Sequence, residues 1–250
     1  MNKPFKFKQF TVQQDRCAMK VGTDGVLLGA WASIEHQPQR ILDIGAGTGL
    51  LALQMAQRSH AETIDALELD NDAYEQCVDN FEASAWADRL FCYHASFGEF
   101  LEESMEDQTL LEEPYDLILC NPPFYEAPSE FDHQQKDIPE NRKKARFYNS
   151  LPFEELLSGV GHLLSETGKF ATIIPFKEEQ RFVSLARTNS LFPVRVTRVK
   201  GKKTTNIKRC LLEFSFKEQQ AATDLLVIET DRHQYTADYI GLTKAFYLKM

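Results

Sequence analysis

The chain has 250 residues, 43% hydrophobic and 26% charged, enough to fill one hydrophobic core and unlike a fibre or a disordered tail. With 37 acidic residues against 28 Lys and Arg, its formal charge of −9 excludes a protein basic all over that coats nucleic acid or anionic membrane. The five cysteines are widely separated with no Cys-x-x-Cys pair, and the six histidines form no His-x-x-x-His, so neither a disulfide framework nor a metal is expected.

The first ten residues break every apolar pair with a charge or Pro4, so they form no secretory signal core, and nowhere do eighteen apolar residues run without charge. A cytoplasmic protein is the expectation. From Arg40 onward, short apolar runs alternate with longer helical patterns, as in βαβ units. Arg40–Ile44 is a buried strand ended by glycines, and Leu50–Ser59 a helix. Thr63–Leu69 is the next strand, Asp72–Ala85 the next helix, and Leu90–His94 a third strand. The segment from Glu99 to Asp116 carries eight acids and no base, and reads as a solvated helix end and loop. Tyr115–Cys120 is a fourth strand, Phe153–Leu164 a helix and Gly168–Ile174 a fifth strand. Phe192–Val199 and Cys210–Phe216 are expected as an antiparallel pair at the sheet edge. One domain over 1–250 is expected, with 1–39 as a capping segment ahead of a core over 40–250.

Three motifs carry chemistry. Asp43-Ile44-Gly45-Ala46-Gly47-Thr48-Gly49 joins a strand to a helix, where glycines allow a tight turn and close approach of a ligand. The third glycine comes too early for the dinucleotide pattern Gly-x-Gly-x-x-Gly. The spacing suits a cofactor without phosphates, S-adenosyl-L-methionine, with Asp43 near its cationic methionine end; a purely structural turn is the competing reading. Glu68 ends the neighbouring strand, placed to accept ribose hydroxyls, although a solvated strand end would also explain an acid there.

The second motif is Asn121-Pro122-Pro123-Phe124 at the end of the fourth strand. Two prolines fix the backbone and remove two N–H donors, leaving the Asn121 side chain and backbone carbonyls as acceptors for an NH₂ group. Phe124, or Tyr125 beside it, can stack on a planar substrate. The third is charge. Arg142, Lys143, Lys144 and Arg146 follow that corner, and Arg195, Arg198, Lys200, Lys202, Lys203, Lys208 and Arg209 form a block without an acid. Both are candidate RNA-phosphate contacts in an otherwise acidic protein, and a merely solvated basic loop is the alternative.

At this point the chain resembles Rossmann-like S-adenosylmethionine-dependent methyltransferases of the N-P-P-[FY] amino-methylating class. More closely, it is similar to the bacterial tRNA adenine-N6 methyltransferases that modify the adenine beside the anticodon of a valine tRNA. The likeness rests on Phe10-Thr11-Val12, the block Asp15 to Trp31, the glycine loop, Asn121 to Phe124 and the terminal Phe246 to Met250. The resemblance implies an α/β Rossmann-like methyltransferase fold, with a mostly parallel central sheet, helices on both faces and an antiparallel edge strand. It implies tRNA as substrate; no membrane, metal or obligate protein partner is expected. It also implies that Lys20, Thr23 and Asp24 border the methionine end of the cofactor. Related enzymes usually carry Asp after the third strand to meet the cofactor's adenine; here Ala95-Ser96-Phe97 stands there, with Ser96 as the available contact.

Three other functions are compatible with the motifs alone. Guanine-N2 methylation of ribosomal RNA shares the acceptor corner. Glutamine-N5 methylation of protein does too, but some forty residues ahead of the glycine loop are too few for the helical substrate domain such enzymes carry. A non-catalytic RNA-binding module would have been favoured by loss of the glycines or Asn121, and both are present.

Overall fold

The computed structural model describes residues 3–106, 113–122 and 151–249. The amino terminus forms a short hairpin, β1 (Phe5–Lys6) with β2 (Thr11–Val12), followed by helix α1 (Thr23–Trp31). α1 is buried on every side from Gly25 to Trp31, which is why no apolar stripe betrays it in the sequence. The parallel units then come in the expected order: β3 (Arg40–Ile44), α2 (Leu50–Arg58), β4 (Thr63–Glu68), α3 (Asn71–Glu82) and β5 (Leu90–His94). Asp70 caps α3 by accepting a hydrogen bond from the Ala73 N–H at 2.9 Å.

The acidic segment begins as a true helix, α4 (Phe97–Glu106), and not merely as a helix end and loop. Ser96 and Glu99 cap it reciprocally: Ser96 N–H donates to the Glu99 carboxylate at 2.9 Å, and Glu99 N–H to Ser96 Oγ at 3.1 Å. Phe97 and Phe100 anchor its inner face while its acids stay in water. Next come β6 (Tyr115–Cys120), α5 (Phe153–Leu163), β7 (Leu164–Pro175), α6 (Glu179–Thr188), β8 (Phe192–Lys202), β9 (Ile207–Ser215), β10 (Ala222–Asp231), β11 (Gln234–Tyr235) and α7 (Ala237–Thr243).

The main sheet has nine strands in the order β11-β10-β8-β9-β7-β6-β3-β4-β5. Most are parallel, with β9 and β11 reversed. The expected antiparallel pair exists as β8 and β9, but it is not at the edge. β10 lies parallel along β8, from Ala222 opposite Arg195 to Glu229 opposite Lys202, and β11 closes that side. The sheet's inner strands are apolar on both faces, as covered parallel strands are: Ile41, Leu42, Leu117, Ile118 and Leu119 are fully buried. One face packs on α1, α2 and the two chain termini, the other on α4, α5 and α6.

Chain order reverses between β3 and β6: β3 leads outward through β4 to β5, whereas β6 lies on its other flank and leads to β7. In open α/β sheets, the carboxyl ends of strands at such a switch point leave a crevice that holds ligands. The glycine loop after β3 and Asn121 after β6 both fall there.

Candidate active site

A cleft of about 910 Å³ opens at that switch point, within the roughly 300–1,000 Å³ usual for a bound small molecule. Its floor is the glycine loop. Gly45, Gly47 and Gly49 all have positive φ, at +74°, +57° and +77°, a region costly for residues with a Cβ. The loop is tied to the end of β4 by the Gly45 and Ala46 N–H groups, which donate to Leu67 O at 3.0 and 2.9 Å. The Gly47 N–H donates to Glu68 Oε2 at 2.7 Å.

The three glycines do different things. A Cβ at Gly45 or Gly47 would meet nothing within 4 Å, and both residues line the cleft, so the bare backbone faces the space a ligand would take. Gly49 is not part of the lining. A Cβ there would come within 2.5 Å of the Phe81 ring, so this glycine starts α2 against α3 and is not part of the cradle.

Asp43 stands elsewhere than its motif suggests. Expected at the cofactor's methionine end, it is fully buried behind the loop, and its Oδ2 accepts the Ala52 N–H of the first turn of α2 at 3.2 Å. Oδ1 has no partner. Burial pushes this carboxyl up to about 7. Its contact is with the helix that carries the loop, and its side chain does not reach the cleft surface.

Glu68 does line the cleft, with Oε1 accepting the Asp70 N–H at 2.8 Å. Each carboxylate oxygen holds one backbone N–H and retains acceptor capacity, which suits a diol. Burial pushes its carboxyl above the usual range. Ser96, just past the end of the neighbouring β5, also lines the cleft. Thr23, Asp24 and Lys20 line the rim; Lys20 Nζ donates to Cys17 O at 2.8 Å and also to Gln14 O. The open glycine cradle, the diol-accepting carboxylate and the apolar walls fit S-adenosyl-L-methionine.

Asn121 and Pro122 close the cleft at the end of β6. A Cβ at Gly25 would stand 3.9 Å from Asn121 Nδ2, so the start of α1 backs the amide. Pro123, Phe124, Tyr125, Arg142, Lys143, Lys144 and Arg146 lie outside the described residues. Burial pushes up the thiols of both cysteines in the lining, Cys17 to about 12, so neither is a thiolate nucleophile at neutral pH.

The basic block divides. Arg195 donates to Trp31 O at 2.6 Å, pairs with the buried Glu213 at 3.3 Å and stacks over the Trp31 ring at 3.7 Å. Arg198 makes two hydrogen bonds to Glu179, and Lys202 lies 3.4 Å from Asp231. The expectation of seven phosphate contacts is therefore narrowed, because acids remote in sequence neutralise part of a segment that contains none. Lys203 and Lys208 are exposed, and Lys200 is half-buried. Arg209 has another place: its Nε donates to Asp24 Oδ2 at 2.8 Å, and it lines the cleft.

One further residue escaped the sequence reading. Asn80 on α3 is 1% exposed and joins the two halves of the site. Its Nδ2 donates to Gln13 O and Thr48 O, both at 2.9 Å, and its Oδ1 accepts the Gln13 N–H at 2.8 Å. The strap running from Gln13 toward Lys20 is thereby fastened to the glycine loop. Asn80→Asp keeps the acceptor and removes both donors. We expect the KM for S-adenosylmethionine to rise about tenfold, from the two lost buried hydrogen bonds. Initial rates at varied cofactor should show kcat within twofold of the parent.

The geometry can be set beside known proteins. The family model for the methyltransferase small domain matches residues 24–143. The chain is 58% identical over 246 residues to the tRNA1(Val) (adenine(37)-N6)-methyltransferase of Flavobacterium psychrophilum, covering 98% of this chain and 100% of that one. It is 55% identical to the protein of the same name from Christiangramia forsetii, covering 100% and 99%. Among solved structures, one described as "a predicted O-methyltransferase, protein Atu636 from Agrobacterium tumefaciens" superposes with a TM-score of 0.65 at 18% identity, over 89% of this chain and 96% of that one. That likeness is one of fold, and the full-length identity carries the finer assignment. By that identity, the chain belongs to the family of S-adenosylmethionine-dependent tRNA1(Val) (adenine(37)-N6)-methyltransferases.

Proposed function

We propose that this protein transfers a methyl group from S-adenosyl-L-methionine to the exocyclic N6 of an adenine in tRNA, the one beside the anticodon of a valine tRNA; its relatives' names specify adenine 37 of tRNA1(Val). The observation that carries the reading is the placement of Asn121 and Pro122 in the same cleft as the open glycine cradle and Glu68.

Bound S-adenosylmethionine supplies an electrophilic methyl group on a sulfonium. The chain's own work is to hold and orient. Glu68 accepts the ribose hydroxyls, the glycine backbone admits the methionine end, and Ser96 meets the adenine edge. The target amine is a poor nucleophile because its lone pair is conjugated with the ring. Hydrogen bonds from its two protons to the Asn121 side-chain oxygen and the Pro122 carbonyl draw that pair out of the ring and toward the methyl group. The N–C bond forms as the S–C bond breaks, and the extra proton leaves to water.

Residues 1–39 serve as a cap on the core that follows. Lys200, Lys203 and Lys208 meet backbone phosphates, as do Arg142, Lys143, Lys144 and Arg146. A tRNA substrate places the protein in the cytoplasm. No helix among the described residues is long and apolar enough to cross a membrane, and no cluster of metal-ligating side chains occurs among them.

Purified protein given tritiated S-adenosylmethionine and separate pools of tRNA, ribosomal RNA and protein tests the reading. Label should enter tRNA and be recovered as N6-methyladenosine. Label in guanosine of ribosomal RNA, or in protein glutamine, would replace this function with one of its alternatives. Binding of RNA without transfer to any pool would leave only a binding module.

A further inference from the structure

A second, smaller cavity of about 200 Å³ lies at the same sheet edge. Among the described residues it is walled by Phe176, Lys177, Gln180 and the Arg198–Glu179 pair. Phe176 directly follows β7. Thr172 of β7 pairs with Cys120 of β6, so one step along both strands brings Ile173 level with Asn121. Phe176 then stands roughly 10 Å beyond Asn121, from about 3.3 Å per residue and 4.8 Å between strands. Pro175, just before it, pairs with Arg209, whose side chain lines the methyl-transfer cleft. Cavity and cleft are thus neighbours across one arginine.

The walls specify a chemistry. Arg198 donates to Glu179 from Nε at 3.0 Å and from Nη2 at 2.7 Å, so its charge is matched inside the cavity wall. Its guanidinium carbon lies 5.6 Å from the centroid of the half-buried Phe176 ring. What the cavity presents is an aromatic face, a guanidinium plane, the ammonium of the exposed Lys177 and the amide of the exposed Gln180. A phosphate would find Lys177, but also an arginine already matched and the Glu179 carboxylate that repels it. A flat, neutral ring with donors and acceptors on its edge would find a stacking surface and an amide partner. At about 200 Å³ the space holds one ring system and is too small for a drug-sized ligand, which needs about 300 Å³ or more.

We infer that this cavity is a subsite for an unpaired nucleobase adjacent to the target adenine, stacked on Phe176 and read at its edge by Gln180. The inference rests on the proposed tRNA substrate. Drawing an adenine into the methyl cleft breaks its stacking with its neighbours. A protein surface that restacks one of them offsets part of that loss, at about the distance an adjacent nucleotide can span. Arg198, first considered as a phosphate contact, becomes part of the platform.

Three full-length substrate tRNAs test this: one unmodified, one abasic immediately 5′ of the target adenine and one abasic immediately 3′. On the unmodified tRNA, Phe176→Ala should raise KM about 5- to 100-fold, the range for loss of one base–aromatic stack, while Phe176→Tyr stays near the parent and cofactor affinity is unchanged. On one of the two abasic tRNAs the parent should fall to the level of Phe176→Ala, and the variant should lose nothing further. Gln180→Ala alters an exposed side chain and keeps the test valid if the Phe176 variant folds poorly. It should raise KM on the unmodified tRNA and have no effect on that same abasic tRNA. Equal penalties on all three tRNAs, or KM values within twofold of the parent, would overturn the subsite. If the parent failed to methylate the unmodified tRNA, the functional reading would fall, and the subsite with it.

Discussion

Asn121→Ala is expected to lose about 100- to 1,000-fold in kcat while binding S-adenosylmethionine within a few-fold of the parent. That is the size of effect seen when one preorganised hydrogen bond to developing charge is removed. The split follows from where the side chain stands. Asn121 follows β6 across the cleft from Glu68, with the first turn of α1 behind its amide. Its acceptor matters most when the target nitrogen gives up conjugation and begins to carry positive charge, a stage reached only as the methyl group moves. An interaction made chiefly in the transition state lowers kcat and kcat/KM together and leaves ground-state binding nearly alone. Calorimetric titration with S-adenosylhomocysteine and single-turnover methylation of tRNA separate the two quantities. A kcat within a few-fold of the parent would make the corner a rigid turn and nothing more. Equal loss of cofactor affinity would make Asn121 part of the cofactor cradle instead.

What the sequence made legible is the half of the molecule governed by local physics. β3 and β6 are covered on both faces, so each reads as a continuous apolar run, and the breakers that end them, Gly45 and Pro122, sit at the ligand edge. Strand ends therefore located the cleft. The rest depends on contacts between distant residues. α1 shows no stripe because it is buried all round. β10 places Leu225 in solvent beside the buried Leu226, and its exposed acids hide that it covers β8. Arg195, Arg198, Lys202 and Arg209 belong to one basic run in sequence, yet their acidic partners Glu213, Glu179, Asp231 and Asp24 come from four other places in the chain. Asn80 sits on a helix whose pattern reports only burial, whereas what it holds, Gln13 and Thr48, lies far upstream. Asp43 was found as a member of the motif, but the spacing that marks the motif carries no information about which side of the loop the carboxylate occupies.

That last point has a measurable outcome. The Asp43 carboxyl is raised by burial to about 7 in the folded protein from an ordinary 3.8, the Ala52 N–H opposes the rise, and the nearby Glu68 charge adds to it. Because the folded value lies above the unfolded one, folding favours the protonated acid. Its contribution is fully present below about pH 4 and is lost as the pH rises through 7, so the parent should become less stable across that window. At about 1.4 kcal/mol per pH unit, the full difference is about 4 kcal/mol. Asp43→Asn should abolish this slope. The amide oxygen still accepts the Ala52 N–H, but no proton equilibrium remains. Its NH₂ would meet the same partnerless surroundings as Oδ1, a pH-independent penalty of about 1–3 kcal/mol, so the slope and not the absolute stability is the quantity to read. Urea unfolding of cofactor-free parent and variant should therefore show an advantage for Asp43→Asn that grows from pH 5 to pH 8. Parallel stability curves over that interval would mean that Asp43 titrates as an ordinary exposed acid, and that the carboxylate beneath the glycine loop is hydrated in solution.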